Sequence, residues 1–186
     1  MERTLVLIKP DGVKRGLIGA IINRFEIAGL KVVGIKMVVP DEKFLEKHYP
    51  LDKEWYENAW KKSKESAEAK GQQINETPLE FGKRLQSNLI NAMKGSPVVA
   101  IVIEGNEAIS NVRKLIGSTS PSKADPSTIR GMYSTDSYDL ADKNGRPTRN
   151  LVHASDSPQT AEREIKLWFN ENEIKTYKRA DEDAIY

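Results

Sequence analysis

Short apolar runs alternate with stretches of helical spacing along this chain. Residues 3–8 and 31–39 are rich in Val, Leu and Ile and stop at turn residues, as strands do. Residues 98–103 form a continuous apolar run, which predicts a central strand covered on both faces. Residues 150–152 offer a last, short strand. The apolar pattern therefore predicts four strands.

Between these strands, apolar residues recur three and four positions apart, which is the spacing of an amphipathic helix. Gly29 ends the first such segment as a left-handed cap, and Thr77 with Glu80 forms a capping box that opens the third. Asn106 is predicted to cap the fourth. The predicted helices cover residues 17–28, 42–49, 78 to about 95, 107–116 and 158–169. The tail that follows the last of them is predicted to be irregular.

Two polar stretches interrupt this pattern. Residues 50–78 carry many Lys and Glu residues, and their opposite charges at short spacings predict a solvated, helical stretch that ends near Gly71. Residues 134–149 contain an Asn-Gly turn signal. Both are interpreted as insertions into one domain of residues 1–186, because polar stretches of this length inside a compact domain are usually functional or inserted. The order of elements predicts an α+β fold, a ferredoxin-like βαββαβ antiparallel sheet with additional helices and two insertions.

Composition excludes several classes of function. The 186 residues include no cysteine, which rules out thiolate nucleophiles and Cys-ligated metals and is compatible with a cytoplasmic location. Two histidines are too few for a metal site built from several imidazoles. No apolar run is long enough to cross a membrane. A net charge of +2, with no aromatic residue in strand 98–104, argues against a dedicated nucleic-acid site.

Three clusters combine a cation or an imidazole with hydroxyls and backbone amides near the end of a strand or helix. A polyphosphate site needs such groups, because arginine spreads its positive charge, lysine supplies a point charge and hydroxyls donate to phosphate oxygens. Taken singly, each cation is more simply explained as a solvated surface residue. The glycine-rich phosphate motifs of P-loop and dinucleotide-binding proteins are absent. The clusters are Lys9 in KPDG, Arg113 to Thr119 in RKLIGST with Arg130 in STIRG, and His153 in NLVHASDS.

His153 follows the predicted strand 150–152 and precedes a helix start. A neutral imidazole attacks phosphorus when one ring nitrogen is unprotonated and the other is held by a hydrogen-bond acceptor. Glu164 on the next helix can be that acceptor, and Asp156 and Glu162 are alternatives that spacing does not separate. A hydrogen-bonded structural imidazole is the simpler explanation for one such histidine taken alone.

Several blocks of the sequence, taken together, resemble the nucleoside diphosphate kinase family. The blocks occur in the order of that family and cover nearly the whole chain, apart from the two predicted insertions. They are LVLIKPDGVKRGLIGAIINRFE, SPVVAIVIEG, RKLIGSTSP, STIRG, NLVHASDS and AEREIKLWF. Of these blocks, RKLIGSTSP and STIRG resemble the nucleotide loop of the family.

The resemblance implies a ping-pong reaction, in which a histidine takes the γ-phosphate of a nucleoside triphosphate such as ATP and passes it to a nucleoside diphosphate. It implies Mg²⁺ held through the nucleotide phosphates rather than by protein side chains, and a homo-oligomer that is a hexamer or a tetramer built from dimers. By the same resemblance, His153 is the nucleophile, Ser155 lies near it, and Glu164 orients Nδ1 of the histidine. Lys9 reaches the transferred phosphate, and Tyr49 supports the site. The resemblance further implies that Asn150 bonds the ribose and phosphates and that the diphosphate is held by Arg113, Thr119 and Arg130.

The sequence departs from the family pattern at the two insertions and at the residue that stacks on the nucleotide base. The base-stacking phenylalanine of the family falls at Leu85, and a leucine clamps a base less well than an aromatic ring. Trp55, Trp60 or Phe81 could replace that ring. His48 is interpreted as a structural histidine beside Tyr49 rather than as a site residue.

Two hypotheses for the function follow. In the first, the chain is an active nucleoside diphosphate kinase; in the second, it is a nucleotide-binding regulatory or scaffold protein of the family whose kinase activity is incidental. A scaffold has no physical need for a complete phosphate-binding set, so the first hypothesis is preferred. That set consists of Lys9, Arg113, Thr119, Arg130, Asn150 and His153.

Overall fold

A computed structural model describes residues 1–69, 71 and 73–185. Residues 70 and 72 of the predicted insertion 50–78, and residue 186, lie outside the described residues. The chain forms two compact units, Met1–Pro40 with Gly95–Tyr186 and, separately, Asp41–Lys94. That residues 1–186 fold as one domain stays a prediction. No helix in the described part of the chain is long and apolar enough to span a membrane.

The first unit contains a four-stranded sheet in the order β2-β3-β1-β4. Every pair of neighbouring strands is antiparallel. This order places the first and third strands in the centre and confirms the predicted ferredoxin-like α+β fold. The strands are β1 (Glu2–Ile8), β2 (Lys31–Val38), β3 (Val98–Gly105) and β4 (Val152–Ala154).

Helices precede, connect and follow these strands. In the first unit they are α1 (Pro10–Lys14), α2 (Ile18–Ile27), α6 (Ala108–Ile116), α7 (Ile129–Tyr133), α8 (Tyr138–Lys143), α9 (Pro158–Trp168) and α10 (Glu182–Ile185). In the second unit they are α3 (Glu42–His48), α4 (Lys53–Glu68) and α5 (Pro78–Asn91).

The main hydrophobic core lies between one face of the sheet and helices α2 and α6. Alternate residues of the central strands point into it, since side chains two positions apart share a face. All eight residues of β3 are buried, as the continuous apolar run predicts. Helix α9 packs against β1. The core includes Val6, Ile8, Ile21, Phe25, Val99, Ile101, Ile103, Val112 and Ile116.

The second unit is a set of helices whose starts follow their capping signals. Asp41 accepts from the N–H of Phe44 over 2.8 Å, and Thr77 forms the predicted capping box with Glu80. Helices α4 and α5 pack so closely at Gly82 that a Cβ there would lie only 2.5 Å from Cβ of Tyr56. The described part of insertion 50–78 is thus largely helical, as its charge pattern predicts.

Three local predictions were wrong. The turn residues after β1 predict a loop, but the segment is a one-turn helix, α1, because Pro10 suits the first position of a helix as well as a turn. Asn106 does not cap α6: the N-cap is Glu107, which has no side-chain cap hydrogen bond, and the N–H of Ile109 instead donates to Glu2 over 2.8 Å. Strand β4 begins at Val152 rather than at residue 150, because the chain turns at Leu151.

The C-terminal segment, predicted as irregular, runs along β2. The N–H of Lys175 donates to the carbonyl of Val33 over 2.7 Å, and the Tyr177 hydroxyl donates to the carbonyl of Val32 over 2.9 Å. A backbone carbonyl at a sheet edge otherwise needs water. The segment therefore covers the first half of this edge strand.

Candidate active site

Lys9 and Asn150 meet where β1 ends and β4 begins. The two strands are antiparallel neighbours, with Ile8 opposite Val152, so the residue after one strand lies beside the residues before the other. Nζ of Lys9 donates to Oδ1 of Asn150 over 2.7 Å in a buried environment. The backbone N–H of Lys9 donates to the carbonyl of Leu151 over 2.8 Å. The fold thus joins two predicted site residues that are far apart in the sequence.

The Asn150 side chain also reaches the loop after α6. Its Nδ2 donates to the Thr119 carbonyl over 3.0 Å. The Thr119 side chain is exposed, and so is that of Arg113 in the last turn of α6. Asn150 therefore connects Lys9 with the predicted nucleotide loop through one amide group.

The backbone turns sharply after Asn150. Leu151 has a φ of 68°, and the N–H of Val152 donates back to the Asn150 carbonyl over 2.7 Å. A turn of this kind is strained for a residue with a branched side chain. Oδ2 of Asp11 accepts from the Leu151 N–H over 2.9 Å and holds the turn. Asp11 is a site residue that the sequence interpretation missed, because KPDG alone indicates only a turn.

Arg130 is a buried guanidinium that binds three backbone carbonyls. Its Nε donates to Asn150 over 3.1 Å, one terminal nitrogen donates to Gly117 over 2.9 Å, and the other donates to Val152 over 2.8 Å. Burial lowers the pKa of Arg130 to about 10, so the side chain still carries its charge at neutral pH. Arg130 therefore links the start of the loop after α6 to the turn at Leu151 and adds a positive charge there.

The backbone beside Arg130 is packed too closely for another side chain. A Cβ at Gly131 would lie 2.1 Å from the carbonyl oxygen of Asp125. Thr128 caps α7, because its Oγ1 accepts from the N–H of Gly131 over 3.2 Å. The glycine in STIRG thus lets the 125–128 turn fold over α7 and fix the position of Arg130.

Positive charge is concentrated around Asn150. Burial lowers the pKa of Lys9; the Asp11 charge opposes this shift, and the Arg130 charge adds to it. The charge of Arg113 likewise lowers the pKa of Arg130. Cations that disfavour one another's charged forms gain when an anion binds among them. The arrangement therefore suits a polyphosphate.

His153 lies within β4, opposite Leu7 of β1, and not after the strand as predicted. Its Nε2 lies 3.0 Å from Oε2 of Glu164, and the Ser155 hydroxyl donates to the same oxygen over 2.7 Å. Glu164 is therefore the partner among the three candidates; Glu162 instead pairs with Lys166 over 2.6 Å. The structure brings together the predicted histidine, serine and glutamate.

The predicted contact of Glu164 with Nδ1 was wrong, because the carboxylate contacts Nε2. Nε2 lies at the far end of the imidazole from the backbone, so it is the nitrogen that reaches a carboxylate on another element. The Glu164 side chain is 3% exposed and that of His153 is 23% exposed. A buried carboxylate on Nε2 fixes the orientation of the ring and favours the tautomer protonated at that nitrogen.

Tyr49 and Leu85 belong to the second unit, and their predicted roles stay predictions. The Tyr49 hydroxyl donates to Sδ of Met93 over 3.3 Å, and its carbonyl accepts from the Gln86 side chain over 2.6 Å. Leu85 is half-buried on α5. His48 is buried at the end of α3, which agrees with its interpretation as a structural residue.

The aromatic residues considered as substitutes at the base have partners within their own unit. Nε1 of Trp60 donates to the Glu76 carbonyl over 2.9 Å. The guanidinium of Arg84 lies 5.1 Å from the centre of the buried Phe81 ring. Trp55 is half-buried on α4. The identity of the base-stacking residue stays a prediction.

The chain matches a protein-family model described as nucleoside diphosphate kinase, over residues 2–70 and 63–174. A relative from Pyrobaculum aerophilum, a nucleoside diphosphate kinase, is 47% identical over 179 residues, covering 94% of this chain and 98% of the relative. The chain belongs to the nucleoside diphosphate kinase family. Nucleoside diphosphate kinases are phosphotransferases, and the resemblance seen in the sequence is confirmed.

Solved structures of this family share the fold. The crystal structure of an NDP kinase from Pyrobaculum aerophilum superposes with a TM-score of 0.88 at 47% identity, covering 93% of this chain and 98% of that one. A nucleoside diphosphate kinase from Borrelia burgdorferi, solved as a transition-state mimic with vanadate and ADP, gives a TM-score of 0.82 at 39% identity, covering 98% and 95%. The nucleoside diphosphate kinase fold therefore extends over nearly the whole chain.

Proposed function

We propose that this phosphotransferase moves the γ-phosphate of ATP to a nucleoside diphosphate in two steps through a phosphohistidine at His153. In the first step, a bond forms from Nδ1 to the γ-phosphorus while the bond from that phosphorus to the β–γ bridging oxygen breaks. In the second, a terminal oxygen of the acceptor diphosphate takes the phosphoryl group from Nδ1. The observation that carries this proposal is the 3.0 Å contact of Glu164 with Nε2, which supports Nδ1 as the ring nitrogen that takes the phosphoryl group.

The cations around Asn150 support the same reaction. Phosphoryl transfer depends on positioning and on stabilising charge that spreads over the phosphate oxygens. Lys9 and Arg130 are linked through Asn150, by its side chain and its carbonyl respectively. β4 carries His153 only three residues after Asn150, so the nucleophile lies just beyond the turn to which both cations bind.

Mg²⁺ bound through the nucleotide phosphates fits this site. Asp11 is the carboxylate whose charge acts on both Lys9 and Arg130, and it already accepts from the Leu151 N–H. Mg²⁺ keeps several waters and takes few protein ligands when phosphates supply the rest. Bound in this way, the ion would neutralise part of the phosphate charge. We therefore propose no side-chain metal ligand.

The open part of the edge strand supports the proposed homo-oligomer. Ile35, Met37 and Val39 occur at alternate positions along β2 and beyond its end, and they are 52%, 57% and 62% exposed. Exposed apolar side chains on a sheet edge favour association with another chain. A hexamer and a tetramer of dimers are both compatible with such a surface. A cytoplasmic location stays a prediction from the absence of cysteine.

Incubation of the protein with ATP and Mg²⁺, followed by peptide mapping under non-acidic conditions, tests the proposal. Trypsin separates the two histidines, because cleavage after Arg149 and Arg163 releases His153 in peptide 150–163, whereas His48 falls in peptide 48–53. We expect phosphate on peptide 150–163, and its loss with formation of GTP when GDP is added. A folded, nucleotide-binding protein without phosphate on this peptide would contradict the proposal and favour the regulatory alternative.

The buried position of Lys9 predicts a pH dependence. Burial lowers the pKa of Lys9, so its ammonium loses the proton at a lower pH than an exposed lysine does. Because the charged form stabilises the transferred phosphate, kcat/KM should fall as the pH rises through this lowered pKa. Replacing Lys9 with arginine should move this alkaline decline to higher pH, even if the overall rate is lower. Profiles of kcat/KM against pH for wild type and Lys9→Arg measure the shift.

Lys14→Arg is the matched control, because Lys14 is exposed at the end of α1, the helix that begins directly after Lys9. Its profile should overlay that of the wild type. An alkaline decline that stays in place in Lys9→Arg would show that another group titrates.

A further inference from the structure

One carboxylate, that of Asp136, joins the two ends of the predicted insertion 134–149. Both oxygens of Asp136 accept from the guanidinium of Arg146, over 2.7 and 2.9 Å. The Asp136 side chain is only 7% exposed. The Arg146 guanidinium lowers the pKa of Asp136 to about 2, so the carboxylate is ionised at neutral pH. Helix α8 lies between these two residues, so the pair joins the two ends of the segment.

Asp136 also connects this segment with two others. Its Oδ2 accepts from the backbone N–H of Arg149 over 2.6 Å. Its carbonyl accepts from the N–H of Ser122 over 3.0 Å, in the loop that follows Thr119. One residue therefore contacts the insertion, the nucleotide loop and the chain just before β4.

The Arg149 residue is held on both sides of its backbone. Asp136 binds its N–H, and the Ser134 hydroxyl donates to its carbonyl over 2.9 Å. That carbonyl belongs to the peptide bond between Arg149 and Asn150. Because Asn150 places its amide between Lys9 and the Thr119 carbonyl, any movement of this peptide moves the amide.

We propose that Asp136 is a positioning residue for the nucleotide site, which it serves by holding the Arg149–Asn150 peptide so that the Asn150 amide stays between Lys9 and the loop after α6. This role rests on the proposed function of that site. The insertion is then part of the nucleotide-binding apparatus, since it supplies both Asp136 and the arginine that fixes its carboxylate. An insertion without a role in the site would not need the hydrogen bond between Asp136 and the Arg149 N–H.

The test is a double-mutant cycle between Asp136→Asn and Asn150→Ala. Displacement of a binding group by about 1 Å costs on the order of 100-fold in rate, so we expect Asp136→Asn to lower kcat/KM by about 10- to 100-fold. It should also weaken ADP binding, measured by calorimetry without any phosphoryl transfer. In the Asn150→Ala background, the further loss from Asp136→Asn should be less than about threefold, because the group that Asp136 positions is already absent.

Asp181→Asn is the matched control. Asp181 accepts from Arg179 in the same two-pronged manner, over 2.8 and 2.7 Å, in the exposed C-terminal segment. We expect its kcat/KM and ADP affinity to equal those of the wild type. If Asp136→Asn does not fold, Arg146→Lys replaces it, because lysine keeps the charge but loses the two-pronged contact.

The proposed function and the positioning role of Asp136 are tested by separate outcomes. Absence of phosphohistidine in the wild type would overturn the proposed function, while the ADP-binding cycle would still decide the role of Asp136. Equal losses from Asp136→Asn in the wild-type and Asn150→Ala backgrounds would overturn the positioning role. So would an Asp136→Asn protein that binds ADP and turns over like the Asp181→Asn control.

Discussion

Replacing His153 with glutamine is expected to abolish phosphoryl transfer while the fold is retained. Glutamine keeps a polar side chain of similar length that can still contact Glu164, but it has no nitrogen nucleophilic enough to attack phosphorus. Loss of the nucleophile in a covalent mechanism should lower kcat by at least about 10⁴-fold. Steady-state turnover with ATP and a nucleoside diphosphate measures this effect, and mapping of peptide 150–163 should find no phosphate.

Ser155→Ala provides the comparison for this variant. The serine donates to the same Glu164 oxygen that contacts Nε2 of the histidine. Its removal weakens the support of the ring but leaves the nucleophile in place, so turnover should fall by about tenfold, the effect of one hydrogen bond. Both variants should unfold within about 1 kcal/mol of the wild type in denaturant. Turnover by His153→Gln above one-hundredth of the wild-type rate would place the nucleophile elsewhere.

The strands and the long helices could be predicted from the sequence because local signals and burial agree there. The run 98–103 is apolar at every position and becomes β3, which is buried throughout. Thr77 and Glu80 form the predicted capping box. In such segments, hydrophobic periodicity and capping chemistry favour the same structure, so tertiary contacts do not overrule them.

The errors occur where distant residues determine the local structure. Glu2 binds the N–H of Ile109 at the start of α6, and no feature of residues 106–109 could show this. The turn at Leu151 depends on Asp11, which lies 140 positions away. Strain of this kind persists only when contacts with the rest of the fold impose it.

The resemblance indicates which residues belong to the candidate site, but only the three-dimensional structure shows the contacts between them. The motifs indicated that Asn150 and Lys9 belong together, yet they could not show that an amide links Lys9 to the Thr119 carbonyl. Nor could spacing show which imidazole nitrogen faces Glu164. Such details depend on the direction of side chains, which sequence patterns do not specify.

Replacing Arg130 with methionine is expected to cause the largest combined loss of stability and activity. The substitution leaves three buried or half-buried carbonyls without their donor, those of Gly117, Asn150 and Val152. Each such loss costs on the order of 1–3 kcal/mol, and the relief from burying a guanidinium offsets part of the sum. We expect a decrease of about 2–4 kcal/mol in the free energy of unfolding, measured by urea denaturation.

Arg24→Met is the control for this loss, because Arg24 also donates to a backbone carbonyl, that of Ser127, but at the surface. It should change stability by less than about 0.5 kcal/mol. At a temperature where both proteins are folded, Arg130→Met should lose about 10²- to 10³-fold in kcat/KM, since a fixed positive donor near the phosphates is gone. Arg130→Lys should recover less than half of the lost stability, because an ammonium cannot reach three carbonyls that a planar guanidinium spans. An Arg130→Met protein as stable as Arg24→Met would show that these carbonyls find other donors, and Arg130 would then contribute its charge alone.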